Sequence, residues 1–446
     1  MKEFPMQIQL PEKVHKIIDT LEEAGFEAYA VGGCVRDSIL GREPDDWDIT
    51  TSAKPEEMKR LFPRTVDTGI KHGTITVLLG GEGFEVTTYR IDGAYEDGRH
   101  PSEVTFTASL KEDLRRRDFT INAMAYNEQS GLVDLYGGLA DMENQVIRCV
   151  GNARERFDED ALRMLRAVRF SAQLGYRIDE ATGEAVKALA PNLQKISAER
   201  IQVELVKLVT SLHPDYLRKA YELGITAQIL PEFDLCMETP QRHKHHCYDV
   251  GEHILHSMLG VGPDKVLRLS MLFHDIGKPQ TLTVDPDGTT HNKRHPLEGE
   301  KITRKVMRRL KFDNDTTDKV TKLVLYHDYD IAPTEAGVRR AVNRIGEDIF
   351  AMIFTVRRAD IAAQSDYMRE EKLAKVAYIE KLYREISARG DAVTLKELAI
   401  SGKDLIAEGM PPGRQIGETL SALLERVLDD PSLNKREILL KLYKEV

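Results

Sequence analysis

The chain of 446 residues carries 63 Lys and Arg against 73 Asp and Glu, a formal net charge of −10. That length exceeds what one hydrophobic core serves, so we expect two to four domains. No apolar run is long enough to span a bilayer and no signal segment is evident, which predicts a cytoplasmic protein without membrane contact. The four cysteines are scattered without C-x-x-C spacing, so neither a thiolate zinc site nor a disulfide framework is suggested.

The acidic excess is confined to the N-terminal third. Residues 1–150 hold 17 basic and 27 acidic residues, whereas residues 151–446 hold 46 of each. A global basic field for polynucleotides is therefore absent, and any nucleic-acid contact must rest on local clusters such as Arg115–Arg117.

The first informative motif is a glycine pair, Gly32-Gly33. It lies between a predicted strand, Glu27–Val31, and a short predicted helix, Val35–Leu40. A turn of this kind leaves backbone N–H groups free to meet phosphate oxygens. By itself such a glycine pair is more often an ordinary loop.

Two aspartates follow about a dozen residues later, Asp46 and Asp48. On a strand, residues two apart project from one face, so these carboxylates can hold divalent cations such as Mg²⁺ together. Together with the glycine turn they predict a site for a nucleoside triphosphate and metal ions. A predicted hairpin, Gly73–Leu79 with Phe84–Tyr89, brings Glu85 as a third carboxylate, although a surface glutamate is at least as good an interpretation.

The later pattern changes from strands to helices. Two more strands are predicted at Glu103–Thr107 and Ile121–Tyr126, and helical periodicity begins near Phe157. The sequence thus predicts a small α+β head followed by a long all-α part, with helices at Asp160–Gln173, Ala198–Leu212, Pro214–Leu223, Leu373–Ser387 and Ile416–Leu428.

The first long helix carries residues suited to choosing a base. Asp160 and Arg163 are three residues apart, and Arg166 and Arg169 continue at the same spacing. A carboxylate accepts from the exocyclic amino group of cytosine or adenine while a guanidinium donates to the ring nitrogen, a pairing that uracil and guanine cannot make. The alternative is an ordinary surface salt bridge between Asp160 and Arg163.

Seven stretches follow one another in the order GGCVRDSILG, DDWDITTSA, KHGTITV, FEVTTYRIDGAYEDGRHPSEVTF, RRRDFTINAMA, EDALRMLRAVRF and ISAERIQVEL. Together they resemble the class II CCA-adding tRNA nucleotidyltransferases and the related bacterial poly(A) polymerases. The resemblance implies a nucleotidyltransferase head that adds CCA to the 3′ end of tRNA from CTP and ATP with Mg²⁺, releasing pyrophosphate. The tail segment LAISGKDLIAEGMPPGRQIGETLSALLERVL is similar to that of the bacterial enzymes, where it would hold tRNA.

The resemblance also assigns residues. Gly33 and Arg36 would bind the incoming nucleotide, Arg117 the triphosphate, and Asp46 and Asp48 the metals. Four residues would line the CTP and ATP pocket: Asp160, Arg163, Arg166 and Arg169. The segment Asp92–Pro101 is expected to be a flexible loop between strands, which in the family accompanies the switch to ATP and argues against a CC-only enzyme.

A second candidate metal site consists of His253, His274, Asp275 and Asp360, with His295 and His327 as further candidate ligands. The order His, His-Asp, Asp resembles that of the HD phosphohydrolase superfamily, and His295 and His327 stand where members with a second metal have extra ligands. Mixed imidazole and carboxylate ligands suit Mn, Fe, Ni or Mg. His256 competes with His253 for the first position, and we expect His243, His245 and His246 to be surface residues.

These patterns predict an α+β nucleotidyltransferase head at 1–150, an all-α neck at 151–235, an HD-type body at 236–370 and a helical tail at 371–446. No obligate protein partner is indicated. Three rival functions remain open: a poly(A) polymerase, an A-adding or CC-adding half-enzyme, and an HD phosphohydrolase whose head only binds RNA.

Overall fold

The computed structural model describes residues 7–92 and 104–445. The chain divides into two compact units, one ending at Pro231 and the other beginning at Glu232. The finer boundaries at 150, 235 and 370 stay predictions.

The first unit holds the strands β1 (Ala28–Val31), β2 (Ile49–Thr51), β3 (Thr65–Gly69), β4 (Thr74–Leu79), β5 (Glu82–Thr88), β6 (Arg90–Asp92), β7 (Val104–Phe106), β8 (Met124–Asn127), β9 (Gly131–Asp134), β10 (Val146–Ile147) and β11 (Arg177–Ile178). The described residues form a seven-stranded sheet in the order β3-β4-β5-β2-β1-β8-β9. The sheet is mixed because β2 and β5 run parallel while the other neighbours are antiparallel.

Helices cover this sheet and continue beyond it. They are α1 (Glu12–Glu23), α2 (Gly33–Ile39), α3 (Pro55–Leu61), α4 (Leu110–Arg115), α5 (Gly138–Glu143), α6 (Ala153–Glu159), α7 (Leu162–Leu174), α8 (Glu180–Leu189), α9 (Ala198–Val209), α10 (Leu217–Glu222) and α11 (Thr226–Ile229). The helix α1 shows how the pattern produces packing, since Val14, Ile17, Ile18 and Leu21 share one face and are all buried.

Two expectations about local structure are wrong. Asp46 and Asp48 lie in the loop before β2 instead of on a strand, because pairing begins only at Ile49 and Asp has low strand propensity. Asp160 is not on the helix face of Arg163. Its backbone is extended between α6 and α7, and its carboxylate accepts a hydrogen bond from the Leu162 N–H at 3.0 Å.

The second unit is almost entirely helical. Its elements are α12 (Pro231–Met237), α13 (Val250–Leu259), α14 (Lys265–Phe273), α15 (Lys278–Thr281), β12 (Thr283–Val284), β13 (Thr290–His291), α16 (His295–Arg309), α17 (Asn314–Tyr326), α18 (Glu335–Ile345), α19 (Glu347–Ala362), α20 (Arg369–Arg389), α21 (Gly402–Ala407), α22 (Arg414–Asp429) and α23 (Arg436–Leu442). Among the described residues, no helix combines the length and apolarity that crossing a membrane requires.

The remaining predicted elements are present with shifted ends. The hairpin is β4 and β5, and the predicted helices near the C-terminus lie within α20 and α22. Apart from Asp92, the predicted loop Asp92–Pro101 lies outside the described residues. The strands on either side of it, β6 and β7, pair with each other.

Candidate active site and metal centre

The head carboxylate site, defined here as Asp46, Asp48 and Glu85, forms at one end of the parallel pair β2–β5. Because Ile49 is paired with Val86, the preceding residues, Asp48 and Glu85, fall side by side. Asp48 is held by its backbone, whose carbonyl accepts from the Val31 N–H at 3.0 Å. The register therefore brings the third predicted carboxylate to the aspartates.

Electrostatic coupling indicates that the three carboxylates lie close together. Partial burial raises the pKa of Glu85, and the charges of Asp48 and Asp46 raise it further. Asp48 reaches solvent, but the surrounding protein partly desolvates its carboxylate and raises its pKa; Arg117 opposes this effect and Asp46 adds to it. Among the described residues, no hydrogen bond is donated to any of the three carboxylates. Mutual repulsion without a compensating donor fits a site built for cations.

The glycine turn stands next to this site. Gly32 has a φ of 84°, and a Cβ built there would lie 2.9 Å from Nη1 of Arg117. Only glycine lets that guanidinium come so close to the turn. The Nε of Arg117 is buried without a partner among the described residues, and burial lowers the pKa of the group. An orphaned guanidinium N–H beside the turn fits an anionic ligand such as a phosphate.

A hydrogen-bonded chain joins the turn to α7. Arg36 donates to Asn122 Oδ1 at 2.7 Å, Asn122 donates to Asp118 Oδ1 at 3.2 Å, and Arg166 donates to Asp118 Oδ2 at 2.9 and 2.6 Å. Burial alone would raise the pKa of Asp118, but Arg166 and Arg163 outweigh it and lower the pKa far below the usual value. The predicted nucleotide residues Arg36 and Arg166 thus belong to one network. Gly33 is the first residue of α2.

The predicted base-selecting residues have partners that the sequence did not indicate. Asp160 accepts from Arg200, whose two Nη atoms lie 2.6 and 3.3 Å from its carboxylate oxygens. Arg163 lies 2.5 Å from Glu159 and donates to the Arg116 carbonyl at 3.0 Å. The alternative that the sequence left open, a salt bridge between Asp160 and Arg163, is not among the contacts of the described residues, because Asp160 precedes the helix. Asp160 is instead held in place by Arg200.

Of the four residues predicted to line the nucleotide pocket, Arg169 is the most deeply buried. It is buried, donates to Glu204 Oε2 at 2.8 Å and to Gln173 Oε1 at 2.9 Å, and lies over the Phe170 ring. Arg166 also approaches Glu204, at 3.5 Å. The carboxylates Asp118 and Glu204 were missed by motif reasoning, although both lie in stretches that carry the resemblance.

The second unit brings six predicted metal ligands together, and we call them the histidine–aspartate cluster: His253, His274, Asp275, His295, His327 and Asp360. Asp275 lies between two groups. Its Oδ2 is 3.4 Å from His253 Nε2 and 3.3 Å from His274 Nε2, while its Oδ1 is 3.2 Å from His295 Nε2 and 3.8 Å from His327 Nε2. Asp360 completes the first group at 2.8 Å from His253. The geometry suits two cations that share Asp275.

Each histidine of the cluster is oriented by its other ring nitrogen. Nδ1 faces a backbone carbonyl at 2.7–3.2 Å in all four: His253 to Ala363, His274 to Met271, His295 to Asn292 and His327 to Val324. In a neutral ring this places the proton on Nδ1 and leaves the Nε2 lone pair pointing at the cluster. Two pairs of Nε2 atoms then meet at 3.2 and 3.3 Å, an arrangement that a cation between them would stabilise.

Charge inside the cluster is strongly coupled. Burial disfavours a charged His274, yet Asp275 and Asp360 outweigh it and raise its pKa to about 10. Burial and the positive charge of neighbouring histidines lower the pKa of His327 to about 3. The carboxylates therefore favour positive charge at the first group, while His327 is kept neutral, the form in which an imidazole binds a metal.

A cavity of about 560 Å³ opens beside the cluster. His243, His245 and His246 line it, so the expectation that they are ordinary surface residues is wrong. The physical reason is that the 243–246 segment is tied to the chain after α19, where the Ser365 N–H donates to the His245 carbonyl at 3.0 Å. His256 instead stacks on Tyr248 with ring centroids 4.1 Å apart, outside the cluster.

Three family models match the chain. Residues 28–148 match the Poly A polymerase head domain, residues 175–237 the probable RNA and SrmB-binding site of polymerase A, and residues 297–443 the putative tRNA nucleotidyltransferase domain 2.

Curated relatives extend over nearly the whole chain. The CCA-adding enzyme of Lactobacillus helveticus is 37% identical, with 97% of each chain covered. That of Levilactobacillus brevis is also 37% identical, covering 97% of this chain and 98% of the relative.

Solved structures are similar as well. The Bacillus stearothermophilus CCA-adding enzyme in complex with CTP has a TM-score of 0.74 at 30% identity, with 98% of both chains covered. The Thermotoga maritima CCA-adding enzyme complexed with tRNA has a TM-score of 0.60 at 21% identity, covering 99% of this chain and 100% of the other. At that identity the likeness concerns the fold.

Proposed function

The chain belongs to the family of CCA-adding enzymes, and on that premise we propose how its residues carry out the reaction. The enzyme adds C, C and A to the 3′ end of tRNA from CTP and ATP. The 3′-hydroxyl oxygen forms a bond to the α-phosphorus, the bond to the leaving group breaks, and pyrophosphate is released.

We propose that the head carboxylate site holds Mg²⁺. The observation that supports this most directly is the meeting of Asp46, Asp48 and Glu85 without hydrogen-bond donors among the described residues. Asp46 raises the pKa of Asp48, and both aspartates raise the pKa of Glu85. When bound, Mg²⁺ would lower the pKa of the attacking hydroxyl and screen the leaving oxygens. Replacing Glu85 by Gln should therefore raise the Mg²⁺ concentration needed for half-maximal activity.

The glycine turn and two arginines would hold the triphosphate. Gly33 opens α2, Arg36 is fixed by Asp37 and Asn122, and Arg117 has a buried Nε to offer. Since no covalent protein intermediate is needed, positioning of the triphosphate and the hydroxyl is the main contribution of these residues.

We further propose that Asp160 and Arg163 choose the base. Arg200 holds the Asp160 carboxylate so that it can accept from the amino group of cytosine or adenine. When the nucleotide binds, Arg163 would leave Glu159 and donate a hydrogen bond to the ring nitrogen of the base. Arg166 and Arg169, fixed by Asp118 and Glu204, support this pocket from α7.

The decisive experiment offers the four nucleoside triphosphates one at a time to a tRNA that lacks its CCA end. We expect two additions from CTP and a final one from ATP once both C residues are present. Long A tracts on unrelated RNA would indicate a poly(A) polymerase, and failure to complete CCA would indicate a half-enzyme.

A second activity is favoured by the histidine–aspartate cluster. We propose that 236–370 is an HD-type domain that holds two divalent metals, one between His253, His274 and Asp360 and one between His295 and His327, with Asp275 shared. Such metals would activate water toward a phosphoester. Phosphate release that Mn²⁺ supports and His274→Ala removes would bear this out, whereas unchanged release in that variant would refute it.

A further inference from the structure

The cavity beside the histidine–aspartate cluster contains a lysine, Lys372, that forms no ion pair with any of the described residues. Lys278 lies 2.7 Å from Asp275, and Lys375 lies 2.8 Å from Asp330. Lys372 differs, because its described partners are neutral: it donates to Gln364 Oε1 at 2.7 Å and approaches His245 Nδ1 at 3.1 Å. An ammonium group has three N–H donors, so one is left for a ligand.

Lys372 is closely connected to a predicted metal ligand. Gln364 donates to Asp360 Oδ2 at 3.1 Å and accepts from Lys372. Two hydrogen bonds and one amide group separate the two charges, which limits the distance from Nζ to the Asp360 oxygen to about 8 Å. A ligand atom near the metals and another near Lys372 can therefore belong to the same small molecule.

His245 adds a second donor on the same wall. Its Nδ1 accepts from Lys372, so the neutral ring carries its proton on Nε2. Burial and the Lys372 charge lower its pKa, which keeps the ring neutral at pH 7. The ring rests edge-on against Tyr367, with centroids 4.8 Å apart.

We propose that Lys372 and His245 bind a second anionic group of the substrate. The cavity would then accept a small phosphoester that carries a carboxylate or another phosphate a few bonds from the phosphoryl group at the metals. This inference rests on the proposed phosphohydrolase activity. In that reaction a water oxygen bonds to phosphorus, the P–O bond to the alcohol breaks, and the alcohol leaves with a proton beside orthophosphate.

The dimensions agree with a small ligand. A volume of about 560 Å³ lies within the range of roughly 300–1,000 Å³ that is typical of small-molecule sites. Lys372 comes from α20, outside the predicted HD range of 236–370. The cavity is thus completed by a residue that sequence reasoning assigned to the tRNA-binding tail.

The test compares 3-phosphoglycerate with glycerol 3-phosphate, two esters of similar size that differ in one carboxylate and contain no nucleobase for the head to recognise. Binding to the full chain with Mn²⁺ is measured by calorimetry. We expect the wild type to prefer 3-phosphoglycerate by about tenfold or more, the effect of one charge-assisted hydrogen bond. Lys372→Met should reduce the preference to less than about twofold and leave glycerol 3-phosphate binding unchanged.

Lys381→Met is the matched control, because Lys381 is exposed on the same helix and should keep the full preference. Equal affinities in the wild type, or an undiminished preference in Lys372→Met with an unchanged melting temperature, would overturn the inference. Phosphate release is followed in parallel. If neither ester is hydrolysed while the binding preference holds, the phosphohydrolase proposal fails and the anion site stands.

Discussion

The head carboxylate site and the histidine–aspartate cluster differ in what holds their ligands in place. Asp46, Asp48 and Glu85 sit at the open end of a sheet, oriented by backbone register and without side-chain donors among the described residues. The cluster is buried, and each of its histidines is fixed by a carbonyl at 3.2 Å or less.

That difference matches two kinds of chemistry. A carboxylate site open to solvent can take Mg²⁺ together with the phosphates of a nucleotide, since Mg²⁺ retains waters and relies on its substrate for further ligands. A buried site with preset imidazoles supplies several metal ligands from the protein itself, which suits transition metals. We therefore expect the head carboxylate site, whose ligands are less preorganised, to be the one that needs its substrate to complete the coordination of the metal.

The largest expected effect would separate the two sites completely. In the double variant Asp46→Ala, Asp48→Ala, incorporation of CMP and AMP into tRNA should fall at least about 1,000-fold, because the metals and the charge stabilisation they give are lost. Metal content of the cluster and phosphate release should stay unchanged. His274→Ala should show the opposite pattern. Appreciable nucleotide addition by the double variant would show that Asp46 and Asp48 do not hold the metals of the head site.

The two sites also differ in how well sequence alone predicts them. The six cluster residues converge as the His, His-Asp, Asp order suggested, because imidazole ligands are rare enough for their spacing to be informative. Glu85 was ambiguous in sequence, since a strand glutamate is common. The register of β2 against β5, a long-range pairing that no local pattern contains, is what places it beside Asp48.

The errors have physical causes as well. Helical periodicity predicted that α7 begins at Asp160. In the structure the Asp160 carboxylate accepts from the Leu162 N–H, and its extended backbone ends the preceding helix. Its partner Arg200 lies 40 residues away, and no spacing rule connects the two. The histidines of the 243–246 segment were expected at the surface, whereas contacts of this segment with Ser365 place them along the cavity.

The second prediction concerns selectivity within the first unit. Asp160→Ala should reduce the preference for CTP and ATP over UTP and GTP by about 100-fold, since the acceptor that rejects the wrong bases is removed. Single-nucleotide incorporation kinetics would measure it. Asp158→Ala, an exposed carboxylate two residues earlier, should leave selectivity unchanged. A variant at Asp160 that remains fully selective would mean that the base is chosen elsewhere.

The third prediction divides the cluster itself. His295→Ala should lower the bound metal from two ions to one for each chain, because Asp275 Oδ2 keeps its group with His253 and His274 while Oδ1 loses its nearest partner. Elemental analysis after dialysis would show the change. Loss of both metals would indicate that the two positions are cooperative, and retention of both would exclude His295 as a ligand.

The smallest expected effect concerns which histidine of α13, His253 or His256, is the first metal ligand of the cluster. His256 lies one turn after His253 on α13, and sequence alone left it as a competitor. In the structure His256 stacks on Tyr248 and lies 4.0 Å from Glu252, whereas His253 lies 3.2 Å from His274.

His256→Ala should therefore leave metal content and phosphate release unchanged, and its lost stacking should cost no more than about 1 kcal/mol of stability. His253→Ala should remove the metal of the first group. If His256→Ala releases metal instead, the side chains of α13 face the cluster differently from the arrangement described, and the carbonyl of Ala363 no longer explains how His253 is oriented.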